Sequence, residues 1–419
     1  MTVKFYYIAI LSISLLLSEE NLKQARVTEY FATQTIDYIE NVRENGDTKE
    51  YLFVLQTNAF LERAKSRLEL GDYEAALEDV NKVVFRDPYK LESYYYRGQL
   101  LSILGKYSAA VKNFNVIVEN NLFLPDVFAF RAEARFNLSL DETIIRDIDH
   151  FLNLTDLTHP YAGKLFYYKG TLLFNKEEYF EALENLHISI ELSPEMWDAY
   201  MIRGNIYRIQ GQLLKAFLDL DIAVNSNSCP REVYLYRGLA CATSGEFDRA
   251  IKDLNQFLQL TPSYHKSKLE AFLQRAIAKF YKDNFNEAIV DLNEVILRDP
   301  DHWLAFRLLG LAYQEKNEFK KALVNFNSAF EHGDHDIELY LNRGLAHIKL
   351  SHYKLAESDF SIFLNKVNDK HNEYGKVLSK RGISLFFMDR IEEACIDWNY
   401  SLLLNYDDAN KFIQMHCLN

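Results

Sequence analysis

This sequence contains five Arg-Gly pairs, and their residue types and regular spacing require a chemical explanation. They lie at Arg97-Gly98, Arg203-Gly204, Arg237-Gly238, Arg343-Gly344 and Arg381-Gly382. Arginine beside glycine is typical of phosphate or nucleic-acid contacts, of catalytic arginines and of structural ion pairs. The chain of 419 residues has a formal net charge of -13, which argues against the basic surface that nucleic-acid binding requires. We therefore expect no nucleic-acid partner.

The sequence contains no pattern typical of catalysis or of a cofactor site. It has no glycine-rich loop that could hold a phosphate. His332, His335, His347 and His352 are close in sequence, but their spacing matches no common zinc motif. No nucleophile, base and orienting residue form a recognisable motif either. The sequence thus predicts a protein that is not an enzyme and holds no metal or other cofactor.

Internal repetition explains why the Arg-Gly pairs return so regularly. The segment GDYEAALEDVNKVVFRDP at 71–88 aligns with GEFDRAIKDLNQFLQLTP at 245–262 in glycine, aromatic, alanine and proline positions. The same register defines ten units over residues 57–408, beginning near 57, 91, 125, 163, 197, 231, 269, 303, 337 and 375. A period of this length is typical of helical units that stack on their neighbours.

Two positions in each unit carry small residues. The eighth residue is Gly or Ala in all ten units, and the twentieth is Ala in nine. Small side chains at these places allow two helices to pack closely. The pattern resembles the tetratricopeptide repeat, a helix-turn-helix unit of about 34 residues. The resemblance covers residues 57–408 and implies an all-α, right-handed superhelical solenoid of antiparallel helix pairs.

The arginine of each Arg-Gly pair is the seventh residue of its unit. That position is Arg or Lys in nine units, while the twenty-third is Asp or Asn in all ten. In an antiparallel helix pair the two positions lie opposite each other, which predicts a charge-assisted hydrogen bond. The expected structural pairs include Arg203 with Asp219, Arg237 with Asp253, Arg343 with Asp359, and Arg381 with Asp397. Contact with a ligand is the alternative.

The ends of the chain differ from the repeats. Residues 1–18 combine Lys4 with an apolar run from Phe5 to Leu17, which is typical of a secretory signal peptide cut after Ser18. We therefore expect a periplasmic or extracellular protein, with a retained hydrophobic helix in a cytoplasmic protein as the alternative. The run is too short to predict a stable membrane span in the mature chain. Residues 19–56 and 409–419 are expected to cap the repeats, with helical cap residues at Phe31, Ile36, Ile39 and Val42.

Two cysteines lie near the C-terminus, Cys395 in the last unit and Cys417 in the closing helix. The segment EEACIDWNYSLLLNYDDANKFIQMHC resembles the C-terminal end of bacterial tetratricopeptide repeat proteins with an Ala-Cys-x-Asp-Trp unit. In an exported protein this resemblance implies a disulfide between the two cysteines. Two buried thiols are the alternative.

The resemblance also implies where a partner binds. First helices of such repeats line a concave groove that holds a peptide or a segment of another protein. Aromatic side chains with a polar group suit this role, because they offer a large contact area and few rotatable bonds. The predicted groove residues are Tyr95, Tyr96, Phe130, Tyr167, Tyr168, Tyr236, Phe280 and Phe386. For each of them, packing between first helices is an equal alternative.

A second binding surface is implied for residues 303–408. Co-chaperones of this family hold a terminal carboxylate with basic and Asn side chains from three successive first helices. Arg307, Asn342, Lys376 and Lys380 fall at matching positions, whereas Leu311 replaces an expected Asn. The chain is therefore expected to bind a protein or peptide in its groove. The alternatives are a clamp for acidic C-terminal tails and a regulatory or substrate-recruiting subunit of an enzyme system.

Overall fold

The computed structural model describes residues 2–44, 50–120, 124–139, 142–226 and 229–417, and the side chains of the first helix over residues 20–41. Every regular element within these ranges is a helix. The chain divides into two units, Met1–Ile206 and Tyr207–Asn419. The expected all-α fold class is thereby confirmed.

Unit 1 is a series of helical hairpins that follows one long helix. From α3 to α8, each second helix of a hairpin packs against the first helix of the next one. The helices are α1 (Thr2–Glu44), α2 (Glu50–Leu70), α3 (Tyr73–Arg86), α4 (Leu91–Ile103), α5 (Tyr107–Glu119), α6 (Pro125–Asn137), α7 (Glu142–Leu154), α8 (Ala162–Asn175), α9 (Tyr179–Leu192) and α10 (Trp197–Ile209), the last of which contains the unit boundary.

Unit 2 repeats the same arrangement and ends in a short helix that packs against α21. Its helices are α11 (Leu213–Val224), α12 (Arg231–Ser244), α13 (Phe247–Leu260), α14 (Lys268–Phe280), α15 (Phe285–Arg298), α16 (Trp303–Glu315), α17 (Phe319–Glu331), α18 (Ile337–Lys349), α19 (Tyr353–Lys366), α20 (Tyr374–Phe386), α21 (Ile391–Leu403) and α22 (Asn410–His416). From α4 onward, first helices begin at or one residue before the predicted starts of the units.

The hairpin of α4 and α5 shows how glycine shapes each unit. Gly105 ends α4 in the left-handed region, with φ at 71°, which reverses the chain at little steric cost. Within α4, Gly98 faces the fully buried ring of Phe114 on α5. A Cβ atom on Gly98 would lie 2.5 Å from that ring, closer than packed carbon atoms approach. Gly98, the last residue of the segment YYYRG at 94–98, therefore marks a close crossing of two helices.

In the hairpins that lie within one unit, the arginine of the Arg-Gly pair joins the two helices. Arg237 donates from Nε and Nη2 to Asp253, with N–O distances of 2.7 and 2.8 Å. Two further predicted pairs have the same two-point geometry, at 2.9 and 2.6 Å for Arg343 with Asp359 and 2.8 and 2.7 Å for Arg381 with Asp397. Arg203 and Asp219 belong to different units, and their pairing stays a prediction.

These basic side chains also reach the preceding hairpin, which the sequence analysis did not anticipate. Arg237 Nη1 donates to Asp221 on α11 at 2.9 Å, and Arg343 Nη1 donates to Asn327 on α17 at 3.3 Å. Lys169 pairs with Asp149 on α7 at 2.8 Å. The acceptor is the twenty-fifth residue of the previous unit in each case. Arg237 and Arg343 thus each connect three helices, and Lys169 connects α8 to the preceding hairpin, so these contacts stabilise the stack as well as the hairpin.

The N-terminal cap differs in two respects from the expectation. Helix α2 begins at Glu50, before the predicted first unit, because its first two turns bury Leu52 and bond to α1 through Gln56 and Glu40 at 3.2 Å. Ile36 and Ile39 are buried as expected, but Phe31 is 63% exposed and does not serve as a core residue. The side chains of Val42 and of the predicted signal peptide lie outside the described residues.

None of the helices in the described ranges combines the length and the apolar character needed to cross a bilayer.

The C-terminal cap is held to the last hairpin by packing and by a covalent bond. Phe412 stacks on the fully buried Trp398 with ring centroids 5.0 Å apart. Ile413 is buried in the same cluster. The structure joins Cys395 on α21 to Cys417 just after α22 in a disulfide. The other two cysteines, Cys229 and Cys241, are free thiols.

Candidate functional site

The candidate site is a row of aromatic rings in unit 1, which we call the aromatic surface. It consists of Tyr95 and Tyr96 on α4, Phe130 on α6 and Tyr161 just before α8. Neighbouring rings meet edge to face, with centroid distances of 5.2 Å for Tyr96 and Tyr95, 5.9 Å for Tyr95 and Phe130, and 5.0 Å for Phe130 and Tyr161. Aromatic pairs favour this geometry, so the four rings hold one another in place.

Tyr161 is the member of the aromatic surface that the sequence analysis missed. It lies in the four-residue insertion before α8, which the repeat register leaves unassigned. The His159 ring stacks near it at 5.8 Å and contacts the buried ring of Phe151 at 4.9 Å, which fixes the insertion. The sequence does contain one indication of this ring, because His159 and Tyr161 lie on either side of Pro160.

Two cavities flank the aromatic surface. The larger has a volume of about 570 Å³ and is lined by Glu92, Tyr95, Tyr96, Leu124, Pro125, Asp126, Thr155 and His159. The second has a volume of about 340 Å³ and is lined by Leu68, Gln99, Ser102, Ile103, Tyr107, Phe130, Glu133, Tyr161 and Lys164. Tyr95 and Tyr96 line the larger cavity, and Phe130 and Tyr161 line the second, so each of the four rings borders a space that a partner can enter.

The larger cavity, which we call the acidic cavity, contains two carboxylates and neither a lysine nor an arginine among its lining residues. Asp126 lies 3.1 Å from the Nε2 atom of His159. Glu92 reaches out of the cavity to Lys65 on α2, at 2.6 Å. Both carboxylates keep more than a third of their side-chain surface exposed, 48% for Glu92 and 38% for Asp126. A cationic group of a partner can therefore reach both carboxylates.

The tyrosines of the aromatic surface are neutral hydrogen-bonding groups. Burial raises the pKa of Tyr95, and the nearby charge of Asp126 adds to that increase. Burial likewise raises the pKa of Tyr161, with Glu133 as the next cause. A phenol with a raised pKa keeps its proton at neutral pH, so it can donate to a peptide carbonyl but is a poor nucleophile. This chemistry suits recognition.

The remaining predicted groove residues pack within the helix stack. Tyr168 is 5% exposed and stacks on Phe136 at 4.1 Å, so its assignment to a groove is corrected to the core. Tyr167 packs against the same cluster, and burial raises its pKa to about 12. The other three are partly buried beside core clusters: Tyr236, Phe280 and Phe386, whose ring lies 4.3 Å from that of His416.

The predicted carboxylate clamp of unit 2 is not assembled as expected. Arg307 Nη1 already lies 3.1 Å from Asp336, and its Nε lies 3.5 Å from Asp334. The amide of Asn342 donates to a backbone oxygen of its own helix at 2.9 Å. Lys376 pairs with Glu373 at 2.7 Å. Three of the four clamp residues are therefore engaged within the chain, and Lys380 lines a cavity whose lining residues include none of the other three.

Within the ranges given above, no three His, Cys, Asp or Glu side chains lie close enough together to hold a metal ion.

Two segments match the model of a known family. The tetratricopeptide repeat family model matches residues 61–121 and 273–336. The first segment includes α4, which carries Tyr95 and Tyr96. The second runs from α14, which carries Lys279, through the hairpin of α16 and α17, which carries Arg307.

Three known proteins are similar to parts of this chain, with sequence identities of 20 to 25%. The human protein O-mannosyl-transferase TMTC1 is 24% identical over 146 residues, which is 35% of this chain and 17% of the transferase. The BBSome complex member BBS4 of Bos taurus is 25% identical over 221 residues, 51% of this chain and 38% of that protein. The chain thus spans less than two fifths of either relative. YrrB, described as a repeat protein of the same kind with an unusual peptide-binding site, has a TM-score of 0.40 and 20% identity over 45% of this chain and 93% of its own.

Proposed function

We propose that this chain, which contains tetratricopeptide repeats, is a protein-interaction scaffold whose aromatic surface binds an extended, basic segment of a partner protein. Proteins built from such repeats are in general non-catalytic and bind proteins or peptides through stacked helices. The finer part of the proposal concerns which surface binds and what chemistry it selects.

The observation that carries the proposal is the aromatic row between its two cavities. Aromatic residues dominate the binding energy of protein interfaces when they are held rigidly and remain accessible. Tyr95 meets both conditions, because it contacts rings on either side and lines the acidic cavity. Its phenol supplies a hydrogen-bond donor for a peptide carbonyl. The row therefore offers several contacts to a segment that crosses α4 and α6.

The charge around the row favours a basic segment. A lysine or arginine in the acidic cavity would meet Glu92 and Asp126 together with the ring of Tyr95, while Lys65 already lies over the ring of Tyr96, 5.3 Å from its centroid. Carboxylates and aromatic faces both attract cations. The net charge of -13 also steers basic partners toward the protein by long-range attraction.

Peptide selection followed by affinity measurement tests the proposal. A displayed library is selected on the full-length chain, and enriched peptides are measured by fluorescence polarisation against Tyr95→Leu, Tyr96→Leu and Asp126→Asn. We expect peptides that combine Lys or Arg with apolar residues. Each tyrosine substitution should weaken binding about tenfold, the loss typical of a central interface aromatic.

Two control substitutions distinguish a loss of binding at the aromatic surface from the general effect of removing a tyrosine or a negative charge. Tyr89, 90% exposed, gives the control Tyr89→Leu, and the exposed Glu119 gives Glu119→Gln as a control for charge. Asp126→Asn should also reduce the loss of affinity with rising salt, because one screened attraction is removed. Selected peptides whose affinity is unchanged in all three site variants would show that this surface is not the binding site.

A further inference from the structure

The first helix presents large apolar side chains to solvent. Val27, Tyr30, Phe31 and Tyr38 on α1 are each between 48% and 65% exposed. A helix at the end of a stack of repeats normally has a polar outer face, because no further repeat covers it. The closing helix α22 follows this rule, since Met415 is the exposed large apolar side chain among its seven residues. The exposed face of α1 does not follow it and is therefore a candidate interaction surface.

Four residues of this face have the spacing of a helix–helix contact. Val27, Phe31, Gln34 and Tyr38 follow one another at intervals of four, three and four residues, which places them along one side of α1. The same alternation of three and four is the pattern by which two helices pack along a shared seam. We call these four residues the α1 seam. Because three of them are apolar or aromatic, pairing with another helix would remove that surface from water.

Three exposed residues flank the α1 seam at intervals of seven, namely Lys23, Tyr30 and Asp37. Neither Lys23 nor Asp37 makes an ion pair among the residues that the structure describes, whereas Glu29 of the same helix pairs with Arg67 at 3.0 Å. Residues at this flanking position meet one another when two identical helices pack antiparallel. Lys23 and Asp37 are equally far from Tyr30, so each charge would meet its opposite in a second copy.

A groove beside the α1 seam offers space for a ring. It has a volume of about 530 Å³ and lies between α1 and α2, with Val27, Thr28 and Phe31 on one wall and Leu55 and Ala59 on the other. In the antiparallel register that brings Lys23 to Asp37, Val27 of one copy faces Phe31 of the other. The ring of Phe31 from each copy can therefore enter the groove of its counterpart.

We propose that two copies of this chain associate through their α1 seams in an antiparallel pair with two-fold symmetry. Tyr30 lies at the axis, Val27 packs against Phe31 of the second copy, and Lys23 pairs with Asp37. In a two-fold interface the same surface serves on both partners and must be complementary to itself. The placement of opposite charges at equal distances from Tyr30 meets that condition, and it is the reason that the occupant is a second copy.

This surface goes beyond the proposed function, because it lies on α1 and the aromatic surface lies on α4, α6 and the segment before α8. A dimer carries two aromatic surfaces. A partner protein with two basic segments could therefore bind both copies and gain affinity without any new contact. Substitutions in the α1 seam should leave the affinity for a single selected peptide unchanged.

Charge reversal on the full chain tests the proposal. Sedimentation velocity over a range of concentrations measures the mass, which we expect to approach twice 49.1 kDa for the unaltered chain. Lys23→Glu and Asp37→Lys should each weaken association at least about tenfold, because each places like charges opposite one another at both ends of the seam. The double variant Lys23→Glu/Asp37→Lys should restore association, because the attraction is then reversed in direction.

A matched pair of variants tests the apolar contact. Phe31→Asp should abolish the dimer, whereas Phe85→Asp, at an exposed phenylalanine on α3, should leave it unchanged. Thermal melting verifies that both variants are folded. Tyr30→Cys places a thiol at the axis, so mild oxidation should link two copies far more readily through position 30 than through position 89 in Tyr89→Cys. The unaltered chain, which contains the free Cys229, measures the background.

Three results would overturn the proposal. The first is an unaltered chain that remains a monomer at every concentration, which would leave the α1 seam to a different partner. The second is an association that persists in folded Phe31→Asp, since the contact would then lie elsewhere. The third is a double charge variant that associates no better than Lys23→Glu and Asp37→Lys, because the antiparallel register requires recovery.

Discussion

At the scale of residues, the repeated arginine is a structural group that connects three helices. The sequence predicted its acid or amide partner within the hairpin, because the seventh position is basic in nine units and the twenty-third is Asp or Asn in all ten. It did not predict the second acceptor, such as Asp221 for Arg237 at 2.9 Å. That contact depends on how one hairpin packs on the next, and this is not visible in the register of a single unit.

The first prediction at this scale concerns Arg237 and Asp253. Arg237→Leu should lower the free energy of unfolding by about 3 kcal/mol, because it leaves the carboxylate of Asp253, only 2% exposed, buried without its cation. Denaturant unfolding followed by circular dichroism measures the change.

Two further variants serve as controls for the Arg237 prediction. Lys252→Leu, at an exposed position of the same hairpin, should have an effect within about 0.5 kcal/mol. The double variant Arg237→Leu/Asp253→Leu should recover much of the loss, since neither charge is then left alone. Equal stability of Arg237→Leu and the unaltered chain would contradict the structural role.

The tyrosines of YYYRG illustrate what sequence reasoning could and could not resolve. Their position in the first helix predicted accessibility, and Tyr95 and Tyr96 do line a cavity. The same reasoning selected Tyr168, which is buried against Phe136. Cavity-lining positions and core positions of a first helix both carry aromatic residues. Which of these rings is buried depends on how the neighbouring helices pack.

At the scale of elements, most helices were predictable because Gly or Ala marks each close crossing. The third unit, which lacks the Ala of the twentieth position, still forms the pair α6 and α7. Two features escaped prediction. Helix α2 extends to Glu50 because α1 covers it, and this extension has no equivalent in the other units. The insertion before α8 recurs before α14 and α20, but Ser267 and Glu373 take the place of Tyr161 there, so the ring could not be inferred from them.

The prediction at this scale concerns the C-terminal helix α22. Replacing Cys395 and Cys417 by Ser should lower the stability of the last hairpin by about 3 kcal/mol, because the disulfide restricts the unfolded chain across a separation of 22 residues. Denaturation of the oxidised chain and of this variant measures the difference.

Cys229→Ser, at a free cysteine of the same unit, is the control for the disulfide variant and should leave stability nearly unchanged. Mass spectrometry of the non-reduced protein from its natural source provides a direct check. Two unmodified thiols at positions 395 and 417 would rule out the disulfide.

At the scale of the whole molecule, unit 1 carries two candidate interaction surfaces. The aromatic surface presents rings beside carboxylates, and the α1 seam presents apolar side chains between Lys23 and Asp37. Composition alone could not reveal either surface, because a net charge of -13 does not show where exposed rings and unpaired charges lie.

We propose that the chain is exported after removal of residues 1–18. The proposal is based on Lys4 and the apolar run that follows it, a pattern typical of signal peptides. Determination of the first residue of the mature protein tests this, and we expect Glu19. A mature chain that still contains the apolar run would favour the cytoplasmic alternative.

The central claim is that partners bind at the aromatic surface, and site-specific photo-crosslinking tests it most directly. A photoreactive benzoylphenylalanine replaces Tyr96 in one variant and Tyr264, 88% exposed in unit 2, in another, and each is irradiated with a selected basic peptide. The account predicts a crosslink from position 96 that excess unlabelled peptide abolishes, and none from position 264. Crosslinking at position 264 alone, or equally at both positions, would contradict it.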